Sequence, residues 1–201
     1  MSTTLNGYGL RPQYAEGHFA QARRYDNGIP SGYATSIYKY EPVALNAAGQ
    51  IVPASVGADL IGVFFGITYF DASGIPHTYD QFIGGTQFGS ASFSFAFPVW
   101  VWVHDDVNQV YQIQADGSLV QSIGAQLNFT TSNIGTGNSI TGLSNCTASA
   151  ASLTTSGQGQ LRIVELVPSP ALNGINIWGD AYTEVRVKIA RHQFISNKTA
   201  V

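Results

Sequence analysis

The eleven residues from Leu60 to Phe70, Leu-Ile-Gly-Val-Phe-Phe-Gly-Ile-Thr-Tyr-Phe, constrain the fold of this chain more than any other stretch. Nearly all are β-formers, and the run lacks the polar alternation of a half-exposed strand. Such a run suits a strand covered on both faces. No heptad or sustained 3.6-residue period occurs elsewhere to offer it a helical partner, so the covering layers must themselves be β-structure.

The flanking segments supply them. Tyr33–Tyr40 and Pro42–Leu45 are strand-like, Asn46–Gly49 is a turn, and Gln50–Pro53 is the returning strand. Asp71–Gly74 forms a hairpin loop that brings Ile75–Phe82 back, and the glycines between 84 and 89 break the pattern. Residues 98–104 place valines on one face and tryptophans on the other. Asn108–Gln114 alternates with a shift at Tyr111 that signals a bulge. Asp116-Gly117 turns the chain, 119–124 reads as a helical turn or a strand, and 126–131 is again strand-like. Gln160–Val167 and Tyr182–Ile189 close the series, with Val185, Val187 and Ile189 facing inward. Between them, the Ser/Thr/Gly/Asn-rich residues 132–159 read as an exposed polar loop. The class is all-β, a single antiparallel β-barrel or β-sandwich with an extended N-terminal arm.

That arm is residues 1–31, ahead of a β-domain over 32–201. It is punctuated by Gly and Pro and has too little apolar area to fold alone. Tyr8, Arg11, Tyr14, Phe19, Arg23, Arg24 and Tyr25 are nonetheless of the types enriched at protein interfaces, and they are the candidate interface set. The segment either docks on a neighbouring subunit or lies across its own domain.

Charge narrows the function. Charged residues are 10% of the chain, against roughly 25% in an average domain. No Lys or Arg stands between Lys39 and Arg162, while Glu41, Asp59, Asp71, Asp80, Asp105, Asp106 and Asp116 do. A nucleic-acid surface needs clustered cations, so nucleic acid is not an expected partner. The most apolar runs fall short of the roughly 20 residues that span a bilayer, so no membrane is expected either. One cysteine, Cys146, rules out an intrachain disulfide and a cysteine-ligated zinc. The opening Met-Ser-Thr-Thr-Leu lacks the basic and apolar regions of a secretory signal, which points to cytoplasmic synthesis.

Chemistry-bearing patterns are sparse. The four histidines, His18, His77, His104 and His192, have no partners at metal spacing. His104-Asp105-Asp106 could orient a base or hold a cation, but adjacent strand residues point to opposite faces, and a polar cap at a strand exit fits better. Neighbouring carboxylates also cannot flank one glycosidic bond. No nucleophile elbow or phosphate-binding loop is complete. Trp100, Trp102, Trp178 and Tyr182 are readable as a sugar-stacking platform or as packing residues. The expectation is a protein that is not an enzyme and has no cofactor.

An ordered set of short matches runs along nearly the whole chain. It includes Tyr8-Gly-Leu-Arg-Pro12, Arg24-Tyr25, Ile29-Pro-Ser-Gly-Tyr33, Ile61-Gly-Val-Phe-Phe-Gly66, Tyr69-Phe-Asp-Ala-Ser-Gly74 and Trp178-Gly-Asp-Ala-Tyr182. The set resembles virion structural proteins of tailed bacteriophages, of the head decoration or cement type. The resemblance implies a protein on the outer capsid surface, with the major capsid protein as partner and a homo-oligomer, a trimer above all. It implies made-in-host synthesis followed by assembly into the virion. A head-fibre, tail or carbohydrate-binding virion component is the alternative.

Overall fold

The computed structural model describes residues 4–15, 19–70, 74–84, 99–168 and 176–195. These form two antiparallel sheets packed as a β-sandwich. Strands β1 (Arg11–Ala15), β8 (Gln109–Gln114), β11 (Glu184–Ile189), β10 (Leu161–Leu166) and β9 (Gln126–Leu127) make the first sheet in that order. The second runs β2 (Arg23–Tyr25), β7 (Trp100–His104), β5 (Gly62–Phe70), β3 (Pro42–Leu45) and β4 (Ile51–Pro53), with β6 (Pro76–Tyr79) also paired to β5. Regular helix is confined, among the described residues, to single 3-10 turns at Thr131–Asn133 and Ala150–Ser152.

The Leu60–Phe70 run is buried on both faces from Leu60 to Phe64; beyond that Phe65 is exposed, and Tyr69 and Phe70 are half-buried. Leu60 and Val63 join an apolar cluster with Tyr111, Ile113, Leu161, Ile163, Val185 and Val187 of the first sheet. Ile61, Phe64 and Ile67 join a second cluster with Val43, Ile51, Val101 and Val103. In β11 the odd positions are buried and Glu184, Arg186 and Lys188 face outward. The β3–β4 turn is tied by Asn46, whose Oδ1 accepts the Ala48 and Gln50 amides at 2.9 and 3.0 Å. Its fourth residue, Gly49, takes the positive φ (72°) that such a turn demands. The asymmetry read at Tyr111 belongs to the partner strand: the register steps from Pro12↔Tyr111 to Tyr14↔Val110, so the extra residue is Gln13 of β1. Residues 119–124 are neither helix nor strand.

Two expectations need correction. Residues 1–31 are not a separate arm where they are described. β1 pairs with β8 at the edge of the first sheet, and β2 pairs with β7 at the edge of the second. Leu10 and Ile29 are fully buried in the two clusters. Backbone pairing and two anchoring side chains supply what the segment's sparse apolar content cannot supply alone. Of the two readings, the described residues follow the one in which the segment lies across its own domain.

The polar stretch 132–159 is also not simply an exposed loop. Ser144, Cys146, Thr147 and Ala148 are buried. Ala148 pairs with Gln114 and Asp116 through backbone bonds of 3.0 and 2.8 Å, and Leu143 bridges Lys39. Small side chains let this backbone approach its neighbours closely, where the Ser144 and Asn145 amides donate to the carbonyls of Lys39 and Thr136 at 3.0 and 2.9 Å.

Gln160 shows how such segments are fixed. Its buried amide donates to the carbonyls of Ser55 and Ala58 at 2.9 and 2.8 Å. Gln160→Leu keeps the volume and strands both acceptors. A loss of about 2–4 kcal/mol is expected, read as a lower urea midpoint at unchanged m.

Candidate functional site

The structure divides the seven candidate interface residues between two surfaces. Tyr8, Arg11 and Tyr14 lie on the outer side of the first sheet. There the Tyr8 hydroxyl donates to Glu184 Oε2 at 3.3 Å, and Gln112 Nε2 donates to the same oxygen at 2.8 Å. Burial, and then the Glu184 charge, raise the Tyr8 hydroxyl pKa well above that of a free phenol. Tyr14 donates to Glu165 Oε1 at 3.1 Å, and Arg186 reaches the same oxygen at 2.8 Å while lying 5.6 Å from the Tyr14 ring centre. The Arg186 hydrogen bond holds the Glu165 carboxyl below its usual range. Tyr8 and Tyr14 are thus engaged by carboxylates of their own domain. Arg11 is exposed.

Phe19, Arg23, Arg24 and Tyr25 lie on and beside β2, the edge of the second sheet. Phe19 is 90% exposed. Arg24 pairs with Asp26 at 2.8 Å and stacks 4.7 Å from the Trp100 ring centre, which in turn meets Phe70 edge-on at 5.2 Å. Arg23 lies 3.5 Å from Asp105, and the Tyr25 hydroxyl donates to the same carboxylate at 2.6 Å.

Asp105 belongs to the His104-Asp105-Asp106 triplet, whose side chains diverge. His104 is buried against Phe65, ring centres 5.0 Å apart, and its carbonyl accepts the Tyr111 hydroxyl at 3.0 Å. Asp105 serves Tyr25 and Arg23. Asp106 Oδ1 accepts the Asn108 amide at 2.8 Å and shapes the turn from β7 into β8. The buried His192 sets Nε2 3.2 Å from the Asp105 carbonyl. Burial lowers the pKa of both histidines. This is the geometry of a strand-exit cap. Among the described residues no group of three or more His, Cys, Asp or Glu is placed to hold a metal ion. His18 lies outside the described residues.

The three tryptophans do not form one platform. Trp100 and Trp102 share the outer face of β7, whereas Trp178 packs against the first apolar cluster. Cys146 is buried in that cluster, and burial raises its thiol pKa well above the ordinary value.

Sequence reasoning passed over one buried ionisable centre. Glu41 is fully buried, accepts the Gly135 amide at 2.6 Å on Oε1, and takes a short hydrogen bond from the Ser144 hydroxyl on Oε2. The Cys146 amide donates to that hydroxyl at 3.0 Å. Desolvation outweighs the two hydrogen bonds and pushes the carboxyl up to about 7. The signal in the sequence was a lone acid between Tyr40 and Pro42 at the head of an apolar strand.

Comparison with known proteins finds no matching family model, curated protein or solved structure.

Proposed function

We propose that this chain is a structural protein of a tailed-phage virion, which binds the outside of the capsid and cements neighbouring major capsid protein subunits. The observation that carries the reading is the composition of the β2 edge. Phe19 is almost wholly exposed, and Arg23 and Arg24 keep 69% and 46% of their side-chain area in solvent beside Trp100. Exposed arginines set among aromatics are the anchoring chemistry of protein–protein interfaces. Of the two edge strands that this segment supplies, β1, in the first sheet, is blunted against further pairing by Pro12 and the bulge at Gln13, which leaves β2 as the better docking edge of the two. The identity of the partner follows from the sequence resemblance to head decoration proteins. A trimer is the oligomer the resemblance favours.

The test is co-sedimentation with expanded phage heads. Wild-type protein should saturate them. Arg24→Glu combined with Phe19→Ser should weaken binding by about 30-fold or more, as loss of a hot spot of about 2 kcal/mol does, with an unchanged melting temperature. Undiminished binding by this variant removes the β2 edge from the interface. A wild-type protein that binds no capsid shell removes the function itself.

A second reading, a carbohydrate-binding component of the particle, is supported by a cleft on the second sheet.

A further inference from the structure

The outward face of β5, β6 and β7 carries an open cleft of about 610 Å³, bordered by Lys39, Phe65, Thr68, Thr78, Asp80 and Trp102. A bulge builds it. The β5–β7 register steps from Phe64↔Val103 to Gly66↔Trp102, so Phe65 has no partner on β7. It swings outward, 39% exposed, and forms one wall. The next residue is a glycine inside a run of β-formers. A Cβ at Gly66 would sit 2.8 Å from the Tyr79 carbonyl, so the position stays bare and the floor stays open. Half-buried Trp102 forms the facing wall, its Nε1 donating to Thr68 Oγ1 at 3.3 Å. Thr68 and Thr78 share a hydroxyl–hydroxyl bond of 3.0 Å. On the rim, Lys39 Nζ stands 3.6 Å from Asp80 Oδ2 and 5.0 Å from the Phe65 ring centre.

The lining selects a ligand chemistry. Two aromatic walls offer apolar contact, while two hydroxyls, one ammonium and one carboxylate offer hydrogen bonds in both directions. Lys39 and Asp80 cancel in charge, so nothing here favours an anion or a cation. A purely apolar ligand would desolvate the ion pair without replacing its hydrogen bonds. A flat molecule with C–H faces and a belt of neutral hydroxyls satisfies every group. The volume lies within the roughly 300–1,000 Å³ of small-molecule sites. We propose that this cleft binds a neutral saccharide, a pyranose unit stacked between Trp102 and Phe65 with its hydroxyls held by Asp80, Lys39 and Thr78. The proposal gives a site and a ligand class to the carbohydrate-binding reading and is independent of capsid binding through β2.

The experiment uses the full chain with Trp100→Phe and Trp178→Phe, which leaves Trp102 as the sole indole reporter. Oligomers of β-1,4-linked glucose, N-acetylglucosamine, mannose and galactose are titrated in turn. At least one should give a saturable emission change. Asp80→Asn and Thr78→Val should each weaken that binding by about tenfold while leaving melting unchanged. Where the reporter variant does not fold, calorimetry of the unsubstituted protein with the same oligomers decides. No saturable binding across the four oligomers overturns the proposal, as does equal affinity in Asp80→Asn and Thr78→Val. Head co-sedimentation of these two variants should match wild type, which separates failure of this site from failure of the capsid reading.

Discussion

Removal of residues 1–31 is expected to unfold the protein instead of leaving a folded domain without its arm. The segment supplies an edge strand to each sheet, and its Leu10 and Ile29 are buried in different apolar clusters. Loss of a buried Leu or Ile side chain costs about 2–5 kcal/mol. Two such losses, with two strand pairings opened, consume most of the 5–15 kcal/mol that holds an ordinary domain together. The entry of the segment is equally demanding. Gly9 sits at φ 78° against Tyr40, itself at φ 67°, and the Leu10 amide donates to the Tyr40 carbonyl at 2.9 Å. A Cβ at Gly9 would overlap that carbonyl. Near-ultraviolet circular dichroism and thermal melting provide the measurement. The truncated chain should show no cooperative transition, Leu10→Ala should lose about 2–5 kcal/mol, and Phe19→Ser should stay within about 0.5 kcal/mol of wild type. A truncated chain that melts cooperatively near the wild-type temperature would show the segment to be a true appendage. The consequence for function is direct: an interface on this segment has to be tested by surface substitutions, because deletion destroys the scaffold along with the contact.

The difference between what could and could not be read in advance follows from where the information lies. β5 and β11 were legible because burial on both faces, or on one, writes itself into consecutive residues. Val101 and Val103 against Trp100 and Trp102 is the same rule with its faces exchanged. Burial of Ser144, Cys146, Thr147 and Ala148 was illegible because small polar residues carry no periodic signal, and whether they are covered depends on strands that lie far away in the chain. The bulge that exposes Phe65 is likewise a relation between two strands. The charge map hides a relation of the same kind: Arg11, Arg162, Arg186 and Lys188 occupy the two ends of the sequence, yet β1, β10 and β11 bring them into one sheet. Their neighbours Glu165 and Glu184 come to that sheet too, which keeps it from being a simple basic surface.

Glu41→Gln is expected to change the pH dependence of stability. An exposed glutamate titrates near 4.5, and in the fold the Glu41 carboxyl is raised to about 7. Between those values the folded protein binds more protons than the unfolded chain, so the contribution is fully present below 4.5 and is lost as pH rises through 7. The shift corresponds to about 3 kcal/mol. His104 and His192 act in the other direction. Burial lowers their pKa, so their contribution is present above the ordinary histidine value of 6.5 and declines as the pH falls below it. These histidine effects are common to wild type and variant and cancel in the difference, which isolates Glu41. Glutamine can keep its carbonyl on the Gly135 amide, but its NH₂ group replaces an acceptor of the Ser144 hydroxyl, at a cost of about 1 kcal/mol. The variant should therefore be slightly less stable than wild type at pH 4.5 and more stable by about 2 kcal/mol at pH 8. Urea titrations at half-unit steps across that range would show the two curves crossing. In wild type alone, amide exchange at Gly135 and Cys146 should accelerate with pH beyond the intrinsic base-catalysed increase, because the ionised Glu41 carboxylate gains hydration when residues 135–146 open away from β3. Parallel stability curves would mean that the Glu41 pKa is the same in the folded and unfolded chain, with the Gly135 and Ser144 hydrogen bonds offsetting its burial.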